Sequence, residues 1–368
     1  MPFDVREFPI GVQIARRNRR AVAGWLFAVC GMILVMTVLG GATRLTGSGL
    51  SIMEWAPLSG ALPPMSEAEW QRLFHLYQQI PQYQLLHPGL GLDGFKQIFW
   101  LEWVHRLWGR LIGVVFIAPL LWLWARGAID RRLWPRLLLA FVLGGLQGVV
   151  GWFMVASGFF PDSIAVSPYR LVIHLALALL LYAVLLWTAL SVLRPEPTRV
   201  FARPSLTHRL AWLAVAALGL TILSGGFVAG LHAGLAYNTF PLMDGRLVPV
   251  GYAQLHPWLR NLTENIPAVQ FNHRLLASLT AVIVAASLLS GLRSPLTPST
   301  RAALLALGAT VAAQYVLGVL TLLGAVPVGL ATAHQAVAVL ALTAALVALH
   351  GLRREDNPLF ALHKPESP

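Results

Sequence analysis

Eight apolar runs of about twenty residues divide this chain. At about 1.5 Å rise per residue, a helix of that length crosses a hydrocarbon core roughly 30 Å thick. The runs predict spanning helices near 21–41, 103–125, 135–156, 169–193, 209–231, 271–292, 302–323 and 329–350. Of the 368 residues, 57% are hydrophobic and 11% charged, against roughly 25% charged in an ordinary soluble domain. Mean hydropathy is +0.67. A soluble globular chain and a disordered one are both excluded, and the predicted fold class is an all-α polytopic membrane protein.

The formal net charge is +12, which on a soluble protein would suggest nucleic acid. Here the placement of the charges gives another reading. Of the 27 Lys and Arg, 18 fall in the N-terminal tail, the 126–136, 194–209 and 293–301 connections and the C-terminal tail. Those segments all lie on one side of the membrane, and an excess of positive charge marks the cytoplasmic side. Both termini are therefore expected in the cytoplasm, and no nucleic-acid partner is expected. The first run follows Arg16, Arg17, Arg19 and Arg20, is about twenty residues long and has no small-residue cleavage site after it, so it reads as a retained helix and not a signal peptide. The single cysteine, Cys30, lies inside that run. It rules out an intramolecular disulfide and leaves His or carboxylate as the only metal ligands.

The segment 42–100 is long for a connection between membrane helices and rich in Trp, Tyr, Pro and Gly. Its length and helical spacing over 67–79 predict an ordered cap on the outer membrane surface. The chain also repeats once. GGATRLTGSGLS from Gly40 matches GGFVAGLHAGLA from Gly225, EWVHR at 102–106 matches QFNHR at 270–274, and Gln147 in QGVVG matches Gln314 in QYVLG. VIHLALAL around His174 pairs with TAHQAVAVL around His334. Two tandem four-helix units explain the pattern, residues 1–195 with the outer segment and 196–368. An even number of spans per unit gives both the same orientation. The glycines at 40–49 read as a helix C-terminus turning into a loop, where they permit positive φ.

His105, His174, His273 and His334 fall in the first turn or two of the second and fourth helices of each predicted unit. Those helices run inward in parallel, so each unit can present two imidazoles to one central site, the requirement of a bis-histidine haem. The alternative is a set of core histidines bonded between helices, although an ionisable group inside a membrane span is a functional hypothesis by default. Arg106 and Arg274 follow two of these histidines and Arg110 lies one turn beyond Arg106. Forked pairing with haem propionates suits them, and interfacial snorkelling is the other reading; Arg44 is a weaker candidate of the same kind. Glu102 lies three residues before His105, on the same face, where the second unit has Gln270. Only the first site thus has a group able to move a proton or stabilise a cation; the other reading is a plain interfacial carboxylate paired with Arg106. A di-iron centre would need further carboxylates and is discarded. His208, His350 and His363 are expected at solvated or interfacial cytoplasmic positions, and His75, His87, His232 and His256 as loop packing.

At these residues the chain resembles the haem A synthase family. The resemblance runs through GGATRLTGSGLSIMEWAPLSGALPP, FKQIFWLEWVHRLWGR, HLALAL, GGFVAGLHAGLAYNTFPLM and FNHRLLA. It is to the branch with a long first outer segment, found in mitochondria and their bacterial relatives, and not to the one with paired outer-loop cysteines. It implies eight helices in two units, a bacterial inner-membrane location and conversion of haem O to haem A by successive hydroxylation of the C8 methyl group. By the same resemblance His273 and His334 ligate a resident haem b, with Arg274 beside them. His105 and His174, with Arg106 and Arg110, mark the substrate haem site, and Glu102 is the catalytic carboxylate. The partners implied are haem O, an electron donor, haem O synthase, oxidase assembly proteins, the lipid bilayer and further copies of the chain. Two other classes compete. A di-haem electron carrier of the cytochrome b type would need no unique carboxylate, and a transporter of parallel repeats would place its polar groups near the midplane.

Overall fold

The computed structural model describes residues 10–161, 163–194 and 205–355, with side chains from 18 to 353. Residues 195–204, within the linker between the predicted units, lie outside the described residues, as do the first nine residues and His363. Eight helices are long and apolar enough to cross a membrane. They are α1 (Ile10–Leu45), α4 (Leu92–Ala125), α5 (Trp134–Ala156), α6 (Pro168–Leu193), α7 (Leu206–Gly230), α8 (Ile266–Leu292), α9 (Pro298–Leu323) and α10 (Val328–Glu355). Two short helices, α2 (Glu67–Gln78) and α3 (Pro81–Leu86), lie in the connection between α1 and α4. The described residues contain no β-strand, which suits a lipid-facing chain whose backbone polar groups have to pair within each segment.

Proline marks several of the starts. Pro135, Pro168, Pro267 and Pro298 occupy the first or second position of α5, α6, α8 and α9, where the missing N–H has no partner to lose. Asn265 and Ser205 cap α8 and α7 by accepting from Ala268 N and His208 N.

α4 begins eleven residues before the predicted boundary. Phe95 and Phe99, one turn apart, pack with Trp70, Phe74 and Tyr77 in a core separate from the membrane bundle. That burial carries the helix out of the bilayer into the cap, so His105 lies almost four turns from the helix start and not in its first turns. The cap is ordered, as expected. Arg72 forks onto Glu54 at 2.8 Å and also pairs with Glu69 at 2.8 Å, and these bonds hold both carboxyls below their usual range.

Across the bundle α1 packs on α4 and α6, and α5 on α6; α7 packs on α8 and α10, and α9 on α8 and α10. The first four spans meet the last four along α6–α7 and α1–α10. Tyr182 Oη and Thr343 Oγ1, 2.7 Å apart, join α6 to α10. His350 corrects an expectation. It is only 1% exposed, its ring against Trp187 and its Nε2 3.4 Å from Ser191 Oγ. At Leu349, His350 and Leu352, α10 is still packed among neighbouring helices.

Candidate functional site

Each of the four histidines lies against a helical glycine of a neighbouring span. A Cβ at Gly40 of α1 would come within 3.1 Å of His105 Nε2, and one at Gly151 of α5 within 3.0 Å of His174 Cε1. The corresponding distances are 3.0 Å from Gly225 of α7 to His273 and 2.9 Å from Gly318 of α9 to His334. Glycine at these positions lets an imidazole come close to helix backbone, an approach that a methyl group would block. The residues at 40 and 41 are thus helical and not turn glycines; the turn falls at Gly47, with φ +68°.

The second glycine of each pair faces the other half of the molecule. Gly41 lies against Gln335 of α10, and Gly226 against Val172 and Leu175 of α6. Because His174 aligns with His334, Leu175 and Gln335 are equivalent positions, and the contact between the halves is made twice.

Hydrogen bonding distinguishes the four rings. His273 Nδ1 lies 2.8 Å from Ser224 Oγ, a partner that fixes ring orientation and leaves Nε2 uncommitted. Leu39 stands at the equivalent place in the first half, so His105 lacks that hydroxyl. His174 Nδ1 and His334 Nδ1 are buried without a partner, while Gln314 Nε2 lies 3.4 Å from His334 Nε2. Sequence reasoning did not single out Ser224 or the four cradle glycines as part of the site. The signal was present in Ser-Gly preceding one repeat where Leu-Gly precedes the other.

Glu102 is 2% exposed and both its oxygens are engaged. Oε2 accepts from Ser51 N at 2.7 Å, Ser51 Oγ at 2.8 Å and Ile52 N at 3.0 Å. Oε1 accepts from Arg106 Nε at 3.0 Å and NH2 at 2.5 Å. Arg106 also donates to Glu54 O and Ile52 O, both at 2.8 Å, and lies over the Trp152 ring. Arg110 donates to Pro57 O and Ala56 O, and its NH1 is buried without a partner. Glu102, Arg106 and Arg110, one turn apart along α4, therefore clamp the segment 51–57 beside His105. Four of the five N–H groups of Arg106 are taken by the clamp, and one is left over.

The second half has the same clamp with the polarity reversed. Gln270 Nε2 donates to Ala233 O at 2.7 Å and to Ala236 O. Arg274 donates to Thr239 O, Tyr237 O and Gln270 Oε1 at 2.9, 2.7 and 2.9 Å, and its Nε is buried without a partner. The segment after α1 presents N–H groups and needs a carboxylate, whereas the segment after α7 presents carbonyls and needs an amide. The difference between Glu102 and Gln270 thus has a structural origin alongside any chemical one.

The remaining histidines lie elsewhere. His75 and His256 are exposed, and His87 Nδ1 lies 2.7 Å from Tyr77 Oη. His232 adopts φ +53°, and its pKa is pushed down by burial and by the charge of Arg44. No cluster of three or more His, Cys, Asp or Glu occurs among the described residues. A group held between two imidazoles is what the histidine pairs fit. Helical glycines flank each pair, and a buried, partnerless ring nitrogen remains on one member of each.

Fold and site together define a polytopic helical membrane protein that carries two repeated histidine pairs. Comparison narrows the class: the chain belongs to the COX15-CtaA family of cytochrome oxidase assembly proteins, whose profile matches residues 23–346. It is 62% identical over 338 residues to the heme A synthase of Granulibacter bethesdensis, covering 92% of this chain and 89% of that one. Identity to the heme A synthase of Rhodospirillum centenum is 50% over 350 residues, 95% and 92% of the two chains. The heme A synthase of Nitrosospira multiformis is 47% identical over 339 residues, 92% and 95%.

Proposed function

We propose that this protein is a membrane-bound oxidoreductase that converts haem O to haem A for cytochrome oxidase. The observation that carries the reading is the glycine-backed histidine pair, built twice, with a carboxylate over one pair and an amide over the other. Family membership and the relatives named above support it. In this reading residues 1–195 and 196–368 form two units of equal orientation, each a four-helix bundle, a division supported by the duplicated contacts of Gly41 and Gly226.

His273 and His334 hold a resident haem b, the first oriented by Ser224. That haem would supply a redox-active iron. His105 and His174 hold haem O, the substrate, whose C8 methyl group is oxidised in successive hydroxylations to a geminal diol that loses water to leave the formyl group. The spare donors, Arg110 NH1, Arg274 Nε and the one N–H of Arg106 that the clamp leaves over, are available to haem carboxylates. Glu102 lies one turn from His105 with all its contacts fixed, which favours a stationary negative charge beside the substrate over a mobile proton carrier. The positive-charge bias supports cytoplasmic termini, and the bacterial relatives support a location in the inner membrane. Haem O synthase, oxidase assembly proteins, an electron donor and further copies of the chain are its proposed partners.

The test is chromatography of haems extracted from purified wild-type and Glu102→Ala protein. Wild type is expected to yield haem b with haem O or A, and the variant haem b without haem A. Two equivalent haems b with no conversion of added haem O would instead identify a di-haem electron carrier.

A further inference from the structure

We infer that the first bundle contains a slot, open to the bilayer between α4 and α5, that takes the long hydrocarbon substituent of the substrate haem. The inference rests on the proposal that haem O sits between His105 and His174. A stripe of α5 runs through Leu137, Ala140, Gly144, Gln147, Gly148 and Gly151 at helical spacing; Leu143 beside it is buried, whereas Gly144 and Gly148 are exposed. On the cytoplasmic side Leu137 and Ala140 are buried in the apolar core. From Gly144 outward the filling stops: a Cβ at Gly144, at Gly148 or at Gly113 of α4 would meet nothing within 4 Å.

The second bundle shows what ordinarily occupies this space. Aligning Gln147 with Gln314 sets Gly144 against Val311 and Gly148 against Tyr315, and aligning His105 with His273 sets Gly113 against Ala281. Val311 is buried in a core that Ala281 packs against. Tyr315 Oη lies 3.0 Å from Ser278 Oγ of α8, which ties α8 to α9. Those two helices pack along each other, whereas α4 and α5 barely approach; Arg106 over Trp152, 5.7 Å from the ring centroid, bridges their outer ends. Glycine stripes in membrane helices usually mark close helix contact, and here no helix fills the stripe.

A ligand is indicated independently at the outer end of the slot. Gln147 Oε1, on the stripe, and His174 Nδ1, whose ring lies on Gly151, are both buried without partners. Haem O differs from haem b in a long hydrocarbon chain on the ring edge. A slot continuous with the His174 cradle, apolar and open sideways, lets that chain slide in from lipid without crossing water.

The experiment compares binding of haem O and haem b to the first site in wild type, Gly148→Leu and the double variant Gly144→Val, Gly148→Leu. Absorbance titration reads binding, and the haem at His273 and His334 reports that each variant is folded. A milder Gly148→Ala variant guards against misfolding. Wild type is expected to prefer haem O at least tenfold, and filling the slot is expected to abolish the preference while haem b binding stays within about threefold. A preference that survives in the double variant overturns the slot. If a His105→Ala, His174→Ala variant binds both haems as wild type does, the substrate-site assignment fails instead, and the slot inference with it.

Discussion

Replacing Glu102 with alanine should release the cap from the membrane bundle, and the size of the effect follows from the clamp. The substitution removes five hydrogen bonds at once: three from Ser51 and Ile52 and two from Arg106. Arg106, with its side chain 15% exposed, is left as an uncompensated cation; breaking such a pair costs about 3–5 kcal/mol. The orphaned amides of Ser51 and Ile52 would add about 1–3 kcal/mol each if they stayed dry. The segment can swing into water instead, so the lost ion pair sets the scale. At about 1.4 kcal/mol per tenfold, amide exchange at Ser51 and Ile52 should accelerate between about a hundredfold and a few thousandfold, while α6 and α10 stay protected. Glu102→Gln should not rescue protection, because its NH2 would meet a donor whichever way it turned. Gln270→Glu should fail symmetrically, setting a carboxylate against the carbonyls of Ala233 and Ala236. Unchanged exchange at Ser51 and Ile52 in Glu102→Ala would refute the anchoring argument.

Other substitutions test the remaining parts of the site. A His273→Ala, His334→Ala double variant should lose the resident haem b spectrum, and retention of the full spectrum would contradict its placement. Gly318→Ala places a methyl carbon 2.9 Å from His334 Cε1, so affinity for the resident haem should fall at least tenfold, whereas Gly151→Ala should weaken only the His105 and His174 site; spectral titration separates the two. The Glu54 and Glu69 carboxyls, held low by Arg72, contribute to cap stability above their ordinary pKa of 4.5. That contribution is lost as pH falls through their lowered values. The effect is small because the side chains are nearly half exposed. Limited proteolysis of the cap should show a rise on acidification that Arg72→Ala removes, and a rise of equal size in that variant would count against the Arg72 network.

The eight spans were legible because crossing a membrane demands about twenty apolar residues and little else satisfies it. The start of α4 was not, since Phe95 and Phe99 bury against Trp70 and Phe74 from a different part of the chain, a contact that local hydropathy does not encode. The histidine pairs were visible through repetition. Of their glycine supports only Gly40 was read, as part of a helix end turning into a loop, because Gly-Gly there is as much a turn signal as a packing one; Gly151 and Gly318, lone glycines within apolar runs, gave no signal until the ring on the next helix was placed. The contrast between Glu102 and Gln270 stood out in the sequence. Its loop complement did not, because whether a segment points N–H or C=O inward is a matter of backbone rotation that residue identity leaves open.

The duplicated seam, Gly41 against Gln335 and Gly226 against Leu175, is the contact a two-fold dimer of four-helix subunits would make. In a dimer of identical subunits every substitution appears at both sites, so a ligand pocket cannot be widened, or its charge changed, on one side only. Joining the copies in one chain removes that restriction while the interface stays as it was. Gly148 where the second half has Tyr315, Leu39 where it has Ser224 and Glu102 where it has Gln270 are differences that covalent linkage permits.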